Sequence, residues 1–192
     1  MSGRLIYVMG PSGSGKDTLL QGLASALQTT GCHIARRVIT RPADASEPGM
    51  VPVTLTEFLA MEARGALAMA WRANGLAYGI ARDIDNKLEQ GSDVLVNGSR
   101  GYLPQALKKY ANLVAVLVAV DQNVLRERLR KRGRETEAQI DARMKRNGLF
   151  DLTDDQMMEK MPNRVFVVDN SAGIEQALQS AVSFLQKGVA CA

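Results

Sequence analysis

The sequence predicts an α/β protein with a three-layer fold, built around a five-stranded parallel sheet. Apolar runs of strand length alternate with amphipathic stretches of helical period, and a glycine-rich loop joins the first run to the first helical stretch. Continuous apolar runs are typical of strands whose two faces are both covered by helices. No linker or internal repeat divides the 192 residues. We therefore expect a single domain over residues 1–192.

The amino-terminal elements follow from these patterns. Leu5 to Met9 predicts a buried strand, and leucines at 19, 20, 23 and 27 repeat at helical spacing behind the loop. Residues 35–40 predict a second strand, and residues 42–52 an irregular crossing segment. Thr54 and Glu57 have the spacing of a capping box, which predicts a helix start.

The rest of the chain continues the alternation. A short strand over 67–71 turns at Asn74-Gly75, and a helix is predicted over 82–90. Three further strands and three further helices are expected. The strands are 93–97, 113–120 and 165–169, and the helices are 124–132, 136–147 and 174–186.

The loop after the first strand carries the strongest functional signal. It runs Gly10-Pro11-Ser12-Gly13-Ser14-Gly15-Lys16-Asp17-Thr18. Its glycines let successive backbone N–H groups point into one concavity around phosphate oxygens, and the following helix adds its positive end. A lysine at position 16 suits the β and γ phosphates as a point charge. All nine residues are therefore predicted to belong to the cofactor site that binds ATP with its Mg²⁺.

The predicted Mg²⁺ contact departs from the strict form of this motif. A serine or threonine normally follows the lysine and completes the Mg²⁺ shell, but Asp17 stands there and Thr18 follows. We assign the metal contact to Thr18. Asp17 acts directly, through water, or as the first-turn acid of the helix. The predicted cofactors are ATP and Mg²⁺.

The net charge of +4 is concentrated in one segment. Residues 126–146 hold nine arginines and lysines against four acids, so the remainder is close to neutral. Gly133 divides the segment into two helical stretches, and Thr136 and Gln139 form a second capping-box pair. Behind a phosphate loop, two arginine-bearing helices joined at a glycine predict a lid over 126–147 that closes over a triphosphate. A nucleic-acid partner is not expected.

The remaining composition bears on location and partners. No apolar stretch is long enough to cross a bilayer, the start lacks a signal-peptide pattern, and Cys32 and Cys191 are the only cysteines. We expect a cytoplasmic protein with no membrane partner and small molecules as its ligands. A homodimer stays open. His33 and Asp121 are expected to be structural, the latter as the cap of the helix near 124.

Several blocks together resemble the guanylate-kinase-like family of P-loop kinases. They are the loop Gly10 to Lys16, Thr40-Arg41-Pro42, Tyr78-Gly79, and the lid string from Arg128 to Glu135 with Ile140 and Arg143 beyond it. The resemblance extends over nearly the whole chain. It implies a P-loop kinase fold with a small acceptor-binding region at about 35–80 and an Arg-rich helical lid.

The departures from this family concern the acceptor. Guanylate kinases hold the acceptor phosphate with a second arginine and a tyrosine, and here those places fall on Asp44 and Val51. The acids that recognise the guanine edge fall on Met69 and near Asn97 or Gly98. A purine edge without its partners would lose several kcal/mol of discrimination. GMP is therefore not the expected acceptor.

Three strings, over 71–79, 94–100 and 132–135, are similar to family members that phosphorylate a sugar phosphate. The resemblance implies transfer of the ATP γ-phosphoryl group to the 1-phosphate of ribose 1,5-bisphosphate, giving phosphoribosyl diphosphate within bacterial phosphonate use. Residue spacing alone supports only a kinase with an anionic acceptor. Two alternatives remain: a nucleoside monophosphate kinase with altered base preference, and a non-catalytic interaction module.

The predicted roles extend beyond the loop. The expected catalytic residues are Lys16, Arg132 and Arg143. Arg128 and Asn170 are expected at the nucleotide, Asn170 because this family commonly rests adenine after the last strand. Arg36 or Arg37 is expected to assist Arg41 at the acceptor phosphate. The predicted acceptor-binding residues are Arg37, Thr40, Arg41, Asn74, Tyr78, Asn97, Ser99, Arg100, Arg134 and Arg146.

Overall fold

A computed structural model describes residues 2–28, 31–41, 49–133, 135–147 and 164–187. In these ranges the chain forms nine strands and seven helices. The strands are β1 Leu5–Met9, β2 His33–Ile34, β3 Arg37–Ile39, β4 Met50–Pro52, β5 Leu67–Ala73, β6 Leu76–Ala81, β7 Val94–Asn97, β8 Leu113–Ala119 and β9 Val165–Asp169. The helices are α1 Lys16–Ala26, α2 Leu55–Ala63, α3 Asp83–Glu89, α4 Leu103–Lys109, α5 Gln122–Arg132, α6 over 137–147 and α7 Ile174–Gln186.

The main sheet has five strands in the order β2-β7-β1-β8-β9. Strands β2 and β7 are parallel, as are β8 and β9. The central strand β1 is buried along its whole length, which explains its unbroken apolar sequence. The predicted α/β class and five-stranded parallel sheet are confirmed. None of the helices among the described residues is long and apolar enough to span a membrane.

The chain contacts divide the protein into two compact units. The first unit comprises Met1–Tyr7 and Leu27–Leu113, and the second comprises Val8–Ala26 and Val114–Ala192. Besides strands of the main sheet, the first unit holds a second sheet in the order β4-β3-β6-β5. Strand β6 is antiparallel to β3 and β5. Phe58 of α2 is fully buried against Val38 and Ala77 of this sheet.

In the second unit, helices α1 and α7 pack closely. A Cβ atom on Gly22 would lie 2.8 Å from the end of the Leu178 side chain, so a larger residue here would require that side chain to shift. The two lid helices, α5 and α6, share a separate apolar cluster. Its buried members are Leu125, Leu129, Ile140 and Met144.

Two sequence predictions are corrected here. The predicted strand over 35–40 is the shorter β3, Arg37–Ile39, which pairs with β6 in the second sheet, and a separate strand just before it, β2 at His33–Ile34, pairs with β7 in the main sheet. An apolar run does not specify the sheet that it joins. The sequence pattern therefore could not show that the chain passes from one sheet to the other near Arg36. The segment 42–52 is not irregular throughout, since β4 pairs parallel to β3. Residues 42–48, including Asp44, lie outside the described residues.

Candidate active site

The phosphate loop owes its shape to glycines that no other residue could replace. Gly13 and Gly15 have φ angles of 99° and 91°, which side-chain-bearing residues rarely adopt. A Cβ atom on Gly13 would lie 2.9 Å from Leu125 of α5, and one on Gly15 would lie 2.5 Å from the Asn170 amide. The loop is therefore both conformationally specialised and tightly packed from outside.

Buried polar groups support the loop. Ser14 is fully buried, and its Oγ has no hydrogen-bond partner among the described residues. Its carbonyl oxygen accepts a 2.7 Å hydrogen bond from Asn170 Nδ2. The Asn170 carbonyl oxygen in turn accepts from Arg128 Nη2 at 2.7 Å. The chain Arg128–Asn170–Ser14 links the first lid helix and the end of β9 to the loop.

Asn170 supports the loop as well. Its side chain is 2 % exposed and its Nδ2 donates to the loop carbonyl, whereas its Oδ1 has no hydrogen-bond partner among the described residues, so its contact to adenine stays a prediction. Arg128 commits one guanidinium nitrogen to Asn170. Its nucleotide contact stays a prediction.

The charged end of the loop is already partly organised. Lys16 Nζ donates a 2.8 Å hydrogen bond to the Pro11 carbonyl oxygen, which holds the ammonium group over the loop. Asp17 and Thr18 lie exposed on the first turn of α1. The described residues contain no group of three or more histidine, cysteine, aspartate or glutamate side chains that could hold a metal ion. The Thr18 hydroxyl and the Asp17 carboxylate alone fit Mg²⁺, because this ion keeps several waters and uses one or two protein ligands beside substrate phosphates.

The predicted break between the two helices of residues 126–147 is present. Asp121 caps α5 by accepting hydrogen bonds from the Asn123 and Val124 amides at 2.8 and 3.2 Å, so its structural role is confirmed and the helix starts two residues earlier than expected. Gly133 ends α5 with φ 64° and ψ 15°, a left-handed cap. Thr136 and Gln139 form the expected reciprocal hydrogen bonds before α6.

Ion pairs join the two lid helices across the hinge. Arg126 Nη1 lies 2.6 Å from Asp141 Oδ1, and Arg130 Nε lies 2.7 Å from Glu137 Oε1. The hydrogen bond from Arg130 lowers the pKa of Glu137. Arg126 and Arg130 therefore hold α5 and α6 together. Either arginine would have to give up its ion pair in order to bind a phosphate.

The arginines predicted to act on the phosphoryl group differ from one another. Arg132, the last residue of α5, is exposed. Arg143 is only partly exposed, and its Nε donates a 3.0 Å hydrogen bond to Glu135 Oε1. Arg146 is exposed on α6, and Arg134 lies outside the described residues. Arg143 is thus held in place by an acid, whereas Arg132 is presented to solvent.

In the first unit, two predicted acceptor-binding arginines converge. Arg37 Nη2 and Arg41 Nη2 each lie 3.6 Å from Met50 Sδ, and a thioether is a weak hydrogen-bond acceptor. The Arg37 guanidinium also lies 5.8 Å from the centre of the Tyr78 ring. Neighbouring Arg36 instead lies 3.6 Å from Asp83. Between Arg36 and Arg37, the geometry favours Arg37 as the companion of Arg41.

Thr40 has a structural role that its sequence pattern did not predict, and Asn74 forms the predicted turn. Thr40 Oγ1 accepts a 2.8 Å hydrogen bond from the Ala77 amide and so fixes the end of β3 against β6. Asn74 and Gly75 have φ angles of 52° and 75° and form the two-residue hairpin turn between β5 and β6. Thr40 and Arg41 also line an open groove beside the start of α2.

The segment after β7 rests on a residue that the sequence analysis treated as core. The Tyr7 hydroxyl donates to the Ser99 carbonyl oxygen and accepts from the Ser99 amide, both at 2.8 Å. A Cβ atom on Gly98 would lie 2.0 Å from the Tyr7 ring. Burial raises the pKa of Tyr7, so the hydroxyl stays protonated. The Tyr7 hydroxyl is the only hydroxyl group in the apolar run 5–9, and a buried hydroxyl usually has a hydrogen-bond partner. This feature of the sequence could have predicted the role of Tyr7.

The other predicted residues of this segment lie at the end of β7. Asn97 is 8 % exposed, and Arg100 begins a short 3₁₀ turn that ends at Tyr102. Their binding roles stay predictions. His33, in β2, is exposed.

Comparisons with known proteins agree on the family. A family model described as an AAA domain matches residues 6–147. The chain is 48 % identical to "Ribose 1,5-bisphosphate phosphokinase PhnN" of Pseudomonas paraeruginosa, over 100 % of both chains. It is also 48 % identical to the protein of that name from Pseudomonas fluorescens, again over 100 % of both. The relative of that name from Pectobacterium parmentieri is 37 % identical, over 98 % of this chain and 96 % of its own.

Solved structures support the fold. A guanylate kinase from Anaplasma phagocytophilum superposes with a TM-score of 0.65 at 19 % identity, covering 97 % of this chain and 86 % of its own. A gluconokinase from Sinorhizobium meliloti has a TM-score of 0.52 at 19 % identity, covering 96 % and 92 %. At these identities the likeness concerns the fold alone. With the full-length identities above, the chain belongs to the ribose 1,5-bisphosphate phosphokinases, a family of kinases with a guanylate-kinase-like P-loop fold.

Proposed function

We propose that this protein transfers the γ-phosphoryl group of ATP to the 1-phosphate of ribose 1,5-bisphosphate, giving 5-phosphoribosyl 1-diphosphate and ADP. The observation that carries the proposal is 48 % identity over the full length of relatives that bear this activity in their name. The local geometry of each unit is consistent with it.

The acceptor side lacks what a guanine base would need. Positions 69 and 97 are methionine and asparagine, so neither presents a carboxylate to the hydrogen-bond donors of guanine. Arg37 Nη2 and Arg41 Nη2, by contrast, both lie 3.6 Å from Met50 Sδ, and two guanidinium groups brought together in this way suit phosphate oxygens. This chemistry suits an anionic acceptor without a purine.

On the donor side, the loop amides and Lys16 bind the triphosphate. Lys16 Nζ exchanges its hydrogen bond to the Pro11 carbonyl for phosphate oxygens, which are stronger partners because they are charged. The buried Ser14 Oγ, with no partner among the described residues, is a further group for a ligand oxygen. Thr18, with Asp17 beside it, would hold Mg²⁺. When bound, the metal neutralises charge on the β and γ phosphates.

The chemical step requires positioning more than proton transfer. An oxygen of the acceptor 1-phosphate forms a bond to the γ-phosphorus, the bond from that phosphorus to the β,γ-bridging oxygen breaks, and ADP leaves with the electron pair. A phosphate oxygen is largely ionised near neutral pH, so no general base is needed. The contribution of the protein is in-line orientation and stabilisation of charge on the transferring group.

Lid arginines supply that stabilisation. We assign Arg132 to the transferring phosphoryl group because it is exposed at the end of α5, directly before the left-handed Gly133. Arg143 assists, with Glu135 holding its guanidinium in a fixed orientation. Arg134 and Arg146 remain candidates for acceptor contacts.

An acceptor panel tests the proposal. Turnover is measured with ATP and Mg²⁺ against ribose 1,5-bisphosphate, GMP, dGMP and other nucleoside monophosphates. We expect the highest kcat/KM with ribose 1,5-bisphosphate. A higher value with any mononucleotide would replace the proposal with a nucleoside monophosphate kinase. Calorimetry that detected no binding of Mg²⁺ and ATP would instead indicate an interaction module.

A further inference from the structure

We propose that Trp71 is a specificity-determining residue of the acceptor site, and that the exposed part of its indole packs against the sugar ring of ribose 1,5-bisphosphate. This inference rests on the proposed function and deepens it by naming the group that recognises the sugar. Trp71 is the only tryptophan of the chain and lies in β5.

Trp71 is the middle ring of an aromatic row. Its ring centre lies 5.7 Å from that of Tyr78 with the planes inclined by 7°, and 5.7 Å from that of Tyr102 with an inclination of 33°. Tyr78 is a predicted acceptor-binding residue. Tyr102 ends the 3₁₀ turn that starts at Arg100. The indole therefore connects two segments that were assigned separately to the acceptor.

Strand register places this row on one face of the small sheet. Trp71 pairs with Tyr78, and Tyr78 pairs with Ile39. Arg37, two residues before Ile39, shares that face, since side chains alternate along a strand. Its guanidinium lies 5.8 Å from the Tyr78 ring centre. The aromatic row thus ends at the Arg37 guanidinium, which lies with that of Arg41 near Met50 Sδ.

The two faces of the sheet differ in what covers them. The opposite face packs on α2 through Val38 and Ala77, which are buried with Phe58. On the face of the row, Met69 and Ile80 are buried, whereas Trp71, Tyr78 and Tyr102 each keep partial exposure. The three rings therefore form a partly exposed aromatic surface and do not belong wholly to the hydrophobic core.

The chemistry of this surface matches a phosphorylated sugar. A ribose ring presents C–H groups that pack on an aromatic face, while its phosphate oxygens need cations such as Arg37. A purine also stacks on aromatic rings, but it needs polar partners for its edge, and the adjacent Met69 has none to offer. The row therefore favours a small sugar with an anionic group over a nucleotide.

Intrinsic fluorescence tests the assignment, because Trp71 is the only indole of the chain. The wild-type protein is titrated without ATP, using ribose 1,5-bisphosphate and, separately, GMP. We expect a saturable change of emission with ribose 1,5-bisphosphate, with a midpoint near its KM, and a much weaker response to GMP. Unchanged emission at concentrations that saturate turnover would overturn the proposal while leaving the proposed function intact.

Kinetics of variants give the second readout. Trp71→Leu should raise the KM for ribose 1,5-bisphosphate by about tenfold or more and leave the KM for ATP within about twofold, whereas Trp71→Phe should retain most of the affinity. The matched control is Phe166→Leu, which removes a ring from the Phe166–Phe184 stack in the second unit. An unchanged acceptor KM in Trp71→Leu would overturn the proposal. If Trp71→Leu does not fold, the Phe variant and the wild-type titration decide.

Discussion

The phosphate loop and the proposed acceptor side would bind anions by different means. The loop offers backbone amides whose directions are set within a few consecutive residues, and glycines packed against Leu125 and Asn170 maintain its shape. The proposed acceptor side offers guanidinium groups from β3 and from the residues after it, which lie near Met50 and Tyr78. A backbone site is complete once the loop has folded, whereas a side-chain site depends on strand register and on the orientation of long, mobile groups.

This contrast predicts different kinetic effects on the two sides. Changes at the loop and the lid should lower kcat, because these groups stabilise charge as it develops in the transition state. Changes on the acceptor side should raise the KM for the acceptor. They remove contacts to acceptor phosphate oxygens that do not take part in bond formation, so these contacts are equally strong before and during the reaction.

The largest effect is expected for Lys16→Met. Loss of the ammonium group should lower kcat by about 1000-fold or more, because the charge cannot be replaced by the loop amides. The far-UV circular dichroism should not change. Steady-state assays with the Lys187→Met variant as control measure the effect. Retention of kcat with only a weaker ATP affinity would place Lys16 in ground-state binding.

Arg132→Ala should follow, with a fall in kcat of about 100- to 1000-fold and little change in the KM for ATP. The exposed Arg132 side chain gives no structural reason for a loss of stability. Lys131→Ala, which removes the adjacent basic residue, is the control and should be close to wild type. Loss of ATP affinity with kcat intact would contradict the assignment of Arg132 to the transition state.

A smaller effect is expected on the acceptor side. Arg37→Ala should raise the KM for ribose 1,5-bisphosphate by about 10- to 100-fold, as expected for a hydrogen bond to a charged group. Arg36→Ala, the neighbouring variant, should stay within about twofold because Arg36 is directed to Asp83. Equal effects in both variants would show that general positive charge, and not the convergence on Met50, binds the acceptor.

The smallest effect is expected for Asp121. Its side chain caps α5, so Asp121→Ala should cost about 1 kcal/mol of unfolding free energy, measured by urea denaturation. Asp121→Asn, which keeps the cap, should have nearly wild-type stability and activity. A large loss of kcat in Asp121→Asn would indicate a role at the metal instead.

The difference between the two sides also explains what the sequence could predict. The glycine-rich loop, the helix end at Gly133 and the capping residues are local patterns, and the structure places them as expected. The second sheet depends on the pairing of β3 with β6, in which paired residues lie about forty positions apart in the sequence. No local sequence pattern could therefore predict this sheet.

Side-chain roles were harder to foresee than backbone patterns. Asn170 is predicted to contact adenine, and the structure adds a second role, in which its amide donates to the Ser14 carbonyl oxygen of the loop. Tyr7 lies in an apolar strand, and its hydroxyl binds both backbone groups of Ser99. Each role depends on residues more than ninety positions away, which spacing within a motif cannot reveal.

The hydroxyl of Thr40 has a consequence for how this enzyme could change over evolution. Arg36 and Arg37 are adjacent, and a slip of β3 by one position would exchange the faces on which their side chains lie. The hydrogen bond from the Ala77 amide to Thr40 Oγ1 resists that slip. A one-residue insertion between Arg37 and Thr40 should therefore move the Arg37 side chain to the opposite face of β3 and weaken acceptor recognition, whereas the turn at Asn74 and Gly75 should accept added residues with less harm.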